Sequence, residues 1–115
     1  MAPPLIYHMC RRAEWQTAEA AGVYRGSSQD VADGFIHFST AAQIATSAAK
    51  HRTGQRDLVL LAVEPAPLGA QLKWEAARDG ALFPHLYGAL ATDRVRWTKE
   101  LPLGEDGRHI FPALE

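Results

Sequence analysis

The chain has 115 residues, a formal net charge of −1 and 47% hydrophobic residues, which suits one globular domain over residues 1–115. The near-zero charge offers no clustered basic face for nucleic acid, and Arg11-Arg12 and Lys50-His51-Arg52 read as solvated surface. A single cysteine, Cys10, excludes an intramolecular disulfide, and no stretch approaches the roughly 20 apolar residues that span a bilayer. Leu5 to Met9 reads as a first strand, with Leu5, Tyr7 and Met9 on one face and Ile6, His8 and Cys10 on the other. Arg11 to Ala21 has helical composition and stops at Gly22. Val23 to Asp33, with Gly26, Ser27, Ser28 and Asp30, reads as a loop or short edge strand.

Gly34 to Ser39 reads as a buried strand that puts Phe35, His37 and Ser39 on one side and Ile36 and Phe38 on the other. Thr40 and Gln43 have capping-box spacing, so a helix is expected from Thr40 to His51, with Ile44 and Ala48 as its apolar stripe. Leu58 to Val63 is apolar on both faces, the mark of a central strand covered on both sides. Gln71 to Ala76 alternates, with Leu72, Trp74 and Ala76 facing inward, and Asp79-Gly80 is a turn. The cluster Phe83-Pro84-His85-Leu86-Tyr87-Gly88 follows, then a last strand over Val95 to Leu101. The tail carries Ile110, Phe111 and Leu114 and is expected to fold back onto the body. This order predicts an α+β domain with a mixed, mostly antiparallel sheet and two helices.

The candidate chemistry rests on histidines. His8, His37 and His85 each sit in or beside an apolar stretch, where an unpaired buried ring costs about 1–3 kcal/mol. Their spacings of 29 and 48 residues do not match zinc motifs, which pair ligands three to five residues apart, so no metal is assigned. A small metalloprotein using these three rings remains the least favoured alternative. His37 beside an expected helix start would sit near backbone N–H groups that favour an anion. Ser39 and Thr40 read either as helix caps or as groups that hold a phosphate. Glu75 beside Trp74 reads either as solvated carboxylate and core ring, or as a pair gripping a planar ligand. Tyr87-Gly88 supplies a hydroxyl and a close backbone approach. Cys10 lies about 6–7 Å along the strand from His8, too far for a nucleophile–base hydrogen bond, and reads as a small buried hydrophobe. No Gly-x-Ser-x-Gly elbow, GxxxxGK[ST] loop or GxGxxG turn is present.

Taken together, Ile6-Tyr7-His8, Trp15, Gly22, Tyr24, the GFIHFST segment with Gln43, Leu72-Lys73-Trp74-Glu75 and the FPHLYG segment resemble the small bacterial family DUF952, over about Leu5 to Leu103. That family resembles the ADP-ribosyltransferase-like fold, and the resemblance implies a nucleotide-like small-molecule ligand, NAD as the candidate cofactor, and chemistry of ADP-ribosyl or phosphoryl transfer type. By position, His8 matches the ribose-gripping histidine and His37 the nicotinamide-pocket group. Glu75 and His85 compete for the third position. The expected catalytic set is therefore His8, His37, Glu75 and His85, with Ser39, Thr40, Trp74, Tyr87 and Gly88 binding ligand. A non-catalytic binding or regulatory module is the alternative. The start of the chain has no basic n-region, so no secretory leader is expected, and the expected location is cytoplasmic without membrane contact.

Overall fold

A computed structural model describes residues 4–77 and 79–114. The first strand, β1 (Ile6–Arg11), runs into helix α1 (Arg12–Ala21), followed by β2 (Val23–Tyr24) and a short helix α2 (Ser28–Asp33). Two dipeptide strands, β3 (Ile36–His37) and β4 (Ser39–Thr40), lead to helix α3 (Ile44–His51). Then come β5 (Leu58–Val63), the hairpin β6 (Leu72–Ala76) and β7 (Leu82–Leu86), β8 (Leu90–Ala91) and β9 (Val95–Leu101). The class is α+β, and every strand pairing among the described residues is antiparallel.

The strands form three sheets, ordered β4-β1-β5-β9, β3-β7-β6 and β2-β8. Strand β5 lies at the centre of the largest, and all six of its residues are buried. Its alternate side chains enter two cores. Val59, Leu61 and Val63 join Ile6, Cys10, Trp15, Tyr24, Ile36 and Phe38, while Leu58, Leu60 and Ala62 join Leu5, Tyr7, Met9, Ile44 and Ala48. Burial on both faces is what a continuous apolar strand demands.

Several expectations are corrected. Three α-helices are described rather than two, because Val23 to Asp33 is β2 and α2 instead of a loop. Ser27 caps α2: Asp30 Oδ2 accepts from the Ser27 backbone N–H at 2.7 Å and from its hydroxyl at 2.9 Å. The expected strand Gly34 to Ser39 splits at Phe38, whose N–H donates to Pro84 O at 2.9 Å. There the chain leaves the β7 sheet for the β1 sheet. Pro84 is tolerated in the middle strand because its missing N–H and its carbonyl point to the same side, beyond the end of β3.

Helix α3 starts at Ile44 and not at Thr40. The Thr40 N–H still finds Gln43 Oε1 at 3.0 Å, but Gln43 N–H closes a turn onto Thr40 O, so the capping spacing builds a turn ahead of the helix. Trp74 is 45% exposed rather than inward, since the small β6–β7 sheet leaves its outer face uncovered. In the tail, Phe111 and Leu114 pack on the second core, while Ile110 is exposed. No helix among the described residues is long and apolar enough to cross a membrane.

Candidate functional site

The site grows from one buried carboxylate. Asp30, in α2, is 3% exposed. Besides its two bonds from Ser27, Oδ1 accepts the His37 backbone N–H at 3.1 Å and the His37 ring Nδ1–H at 2.5 Å. Gly26 lets the chain pass close by, since a Cβ there would lie 2.5 Å from the Asp30 Cβ. Burial by itself would raise the Asp30 carboxyl. The hydrogen bond from His37, the attraction of His8 and the backbone N–H groups of Ser27 and His37 outweigh it and hold the group well below the ordinary carboxylate range.

His8 braces the other side of His37. Its Nδ1–H donates to the His37 carbonyl at 2.5 Å, and its Nε2 receives the Tyr24 hydroxyl at 2.6 Å. The ring is 3% exposed and touches the rings of Tyr24 and Phe38. Burial lowers the His8 pKa in spite of Asp30, whose Oδ2 is 3.4 Å from Nε2, so the ring is neutral with its proton on Nδ1. Burial also pushes the Tyr24 hydroxyl far up and the Cys10 thiol up to about 12. Cys10 is a buried small hydrophobe.

His37 and His85 are register partners on β3 and β7, with ring centroids 5.4 Å apart. His85 Nδ1–H donates to Glu75 Oε1 at 2.8 Å, and the Tyr87 hydroxyl donates to the same oxygen at 2.6 Å. Those two hydrogen bonds hold the Glu75 carboxyl below its ordinary value, and the bond to Glu75 raises the Tyr87 hydroxyl. Phe35 stacks on His85 at 4.2 Å and also contacts His37 and Tyr87. Each imidazole is thus anchored at Nδ1 by a carboxylate. His37 is 40% exposed, and its Nε2 lies 3.2 Å from Asp33 Oδ2. His37 therefore has a carboxylate oxygen at each ring nitrogen, Asp30 at Nδ1 and Asp33 at Nε2, an arrangement that can pass a proton between the ring and the half-exposed Asp33.

A cleft of about 760 Å³ opens along β1, α2, α3 and β7. His8, His37, His85 and Ser39 line it, with His8 forming sealed floor instead of open wall. Ser39 is buried and its hydroxyl donates to Ser47 Oγ at 3.2 Å. Thr40, Trp74, Glu75, Tyr87 and Gly88 do not line the cleft. Glu75 and Tyr87 stand behind His85, Trp74 faces outward, and Gly88 packs against the Gln71 side chain. The sequence reading missed Asp30, Asp33 and the part played by Tyr24. The Ser27-Ser28-Gln29-Asp30 run has the [ST]-x-x-[DE] form of a capping box, and that signal would have found α2 and its carboxylate. Among the described residues, no three His, Cys, Asp or Glu side chains come together as a group able to hold a metal ion.

The chain matches no curated protein. It is similar to protein CC0527 from Caulobacter crescentus, a structural-genomics target. The crystal structure of that protein is 52% identical, with a TM-score of 0.89 over 92% of this chain and 93% of that one. The solution NMR structure gives 53% identity and a TM-score of 0.81 over 90% of each chain. Residues 9–98 match the family described as protein of unknown function (DUF952). The chain therefore belongs to the DUF952 family.

Proposed function

We propose that the cleft binds a nucleotide-like phosphorylated small molecule, of which NAD and ADP-ribose are the first candidates, with His37 and His85 meeting its hydroxyl or phosphate groups. One observation carries this reading: two imidazoles, each fixed at Nδ1 by a carboxylate, stand side by side on neighbouring strands at a cleft of about 760 Å³. Such a volume lies within the usual size range of small-molecule sites. In this reading Asp30 orients His37, and His8 and Tyr24 position it through its backbone. The His37–Asp33 pair, joined through Nε2, moves a proton in any ADP-ribosyl or phosphoryl transfer, and His85 is the second acid–base group. The ADP-ribosyltransferase-like reading of the fold belongs to the same proposal.

A second reading, a binding module without turnover, draws on the state of Glu75. Its Oε1 takes both His85 and Tyr87, and Glu75 stands outside the cleft lining, behind His85. Titration of the 15N-labelled protein with NAD and ADP-ribose tests the proposal. Shifts are expected at His37, His85 and Ser39, and His37→Ala should weaken binding at least tenfold while leaving the protein folded. Spectra unmoved at those residues would end it. NAD consumed during the titration would exclude the module without turnover.

A further inference from the structure

We propose that the end of the cleft lined by Arg11, Lys50 and Arg52 is an anion subsite that takes a phosphate or diphosphate group. The inference rests on the ligand reading above and locates the ligand's charge. Arg52 caps the C-terminal end of α3 and is half-buried. Its Nη2–H donates to Met9 O at 3.1 Å and its Nη1–H to Gln55 Oε1 at 3.0 Å, which fixes the plane of the guanidinium. Five N–H groups are available on that fork, and these contacts use two. Met9 is next to His8 on β1, and His8 holds the His37 carbonyl, so the arginine sits beside the anchor of the histidine pair. The positive charge of Arg52 is felt at the His8 ring, where it disfavours a second proton.

The C-terminal end of α3 and the Met9 carbonyl offset part of the charge at this end, but no carboxylate does. Among the described residues, no carboxylate pairs with Arg11, Lys50 or Arg52, whereas Arg12 pairs with Asp57 and Glu100, and Arg96 with Glu64. The acidic residues of the cleft are occupied elsewhere. Asp30 and Asp33 face His37, and Asp79 accepts the Ala81 N–H of its own turn. A half-buried guanidinium without a counter-ion has lost hydration and gained no ion pair. A planar fork with unused donors suits phosphate, and Lys50 from the last turn of α3 and Arg11 from the end of β1 add positive charge. Read in sequence, these residues look like scattered surface cations; the fold brings Arg11 and Arg52 to one hollow from positions 41 residues apart.

Titration with inorganic diphosphate at constant ionic strength, followed by 15N NMR, tests the assignment. Saturable shifts are expected at Met9, Arg11 and residues 50–52. Binding should weaken at least tenfold in Arg52→Gln and at least threefold in Lys50→Gln, and stay unchanged in Arg56→Gln, which lies outside the cleft. Lys50→Gln touches no partner among the described residues, so the test survives if Arg52→Gln loosens the end of α3. AMP and ribose 5-phosphate run beside it identify the source of the phosphate: both should engage residues 50–52, and tighter binding of AMP points to a nucleotide. Diphosphate shifts confined to His37 and His85, or equal affinity in Lys50→Gln, Arg52→Gln and wild type, would overturn the subsite while leaving the ligand reading intact. Diphosphate held at Arg52 with ADP-ribose giving no shift at His37 would keep the subsite and end the ligand reading.

Discussion

Replacing Asp30 by Asn is the sharpest test of how the candidate site is held. The side chain keeps its size, so the change is one of charge and of donor and acceptor pattern. Asp30 accepts backbone N–H groups on both oxygens, from Ser27 on Oδ2 and from His37 on Oδ1. Asparagine has a single acceptor oxygen. Whichever way the amide turns, its NH2 faces one of those N–H donors. The Ser27 hydroxyl can rotate and the His37 ring can shift its proton, but a backbone N–H can do neither. One donor is stranded at a position 3% exposed. That costs about 1–3 kcal/mol, and losing the charge assistance of the remaining bonds adds roughly 1 kcal/mol. A total of about 2–4 kcal/mol should lower the melting temperature by roughly 8–15 °C in a domain of this size. Urea unfolding of Asp30→Asn against wild type, with unchanged slope, measures it. A difference below about 0.5 kcal/mol would refute the idea that Asp30 is a fully used buried acceptor.

Stability should fall as the solution is acidified. The His8 pKa is lowered from 6.5, so the unfolded chain takes up that proton first, and the contribution present above pH 6.5 is lost as pH falls toward the folded value. Asp30 is lowered from 3.8 and adds a second loss below that pH. Urea midpoints at pH 7 and pH 5 should show the lower value at pH 5, and a higher one there would contradict the buried neutral His8. Gly26→Ala should cost about 2 kcal/mol or more, because φ is +101° and the new Cβ meets the Asp30 Cβ at 2.5 Å. Calorimetry showing wild-type melting would mean that the loop relaxes freely. Trp74→Ser should change stability by less than about 1 kcal/mol, against roughly 3–5 kcal/mol for a core tryptophan, since the ring is 45% exposed. A large loss in urea unfolding would restore the inward placement.

Much of the fold could be read in one dimension because its signals are local. The apolar run Leu58 to Val63 needed cover on both faces, and β5 has it. Gly22 ends α1 in the left-handed region, and Asp79-Gly80 turns β6 into β7. The alternation along Leu5 to Cys10 divides β1 between the two cores as the residue types dictate. Errors came where local pattern met a change of partner. Residues 34–39 alternate like one strand, yet they serve two sheets, because β7 claims Ile36 and His37 while β1 claims Ser39 together with Thr40, the expected helix start. Trp74 alternates like a core residue, but alternation says only which side a ring faces and not whether anything covers that side.

The candidate site divides the same way. Sequence alone singled out His8, His37 and His85 as polar rings in apolar stretches that needed partners. Only the tertiary structure decided what those partners are: a neutral His8 sealed beneath the backbone of His37, a carboxylate from α2 behind the His37 ring, and Glu75 behind His85. Hydrogen bonds and desolvation act through distance in space, and neither leaves a periodicity in the chain. Asp30 therefore looked like a loop residue until α2 turned it inward, and Arg52 looked like solvated surface until the end of α3 set it against Met9.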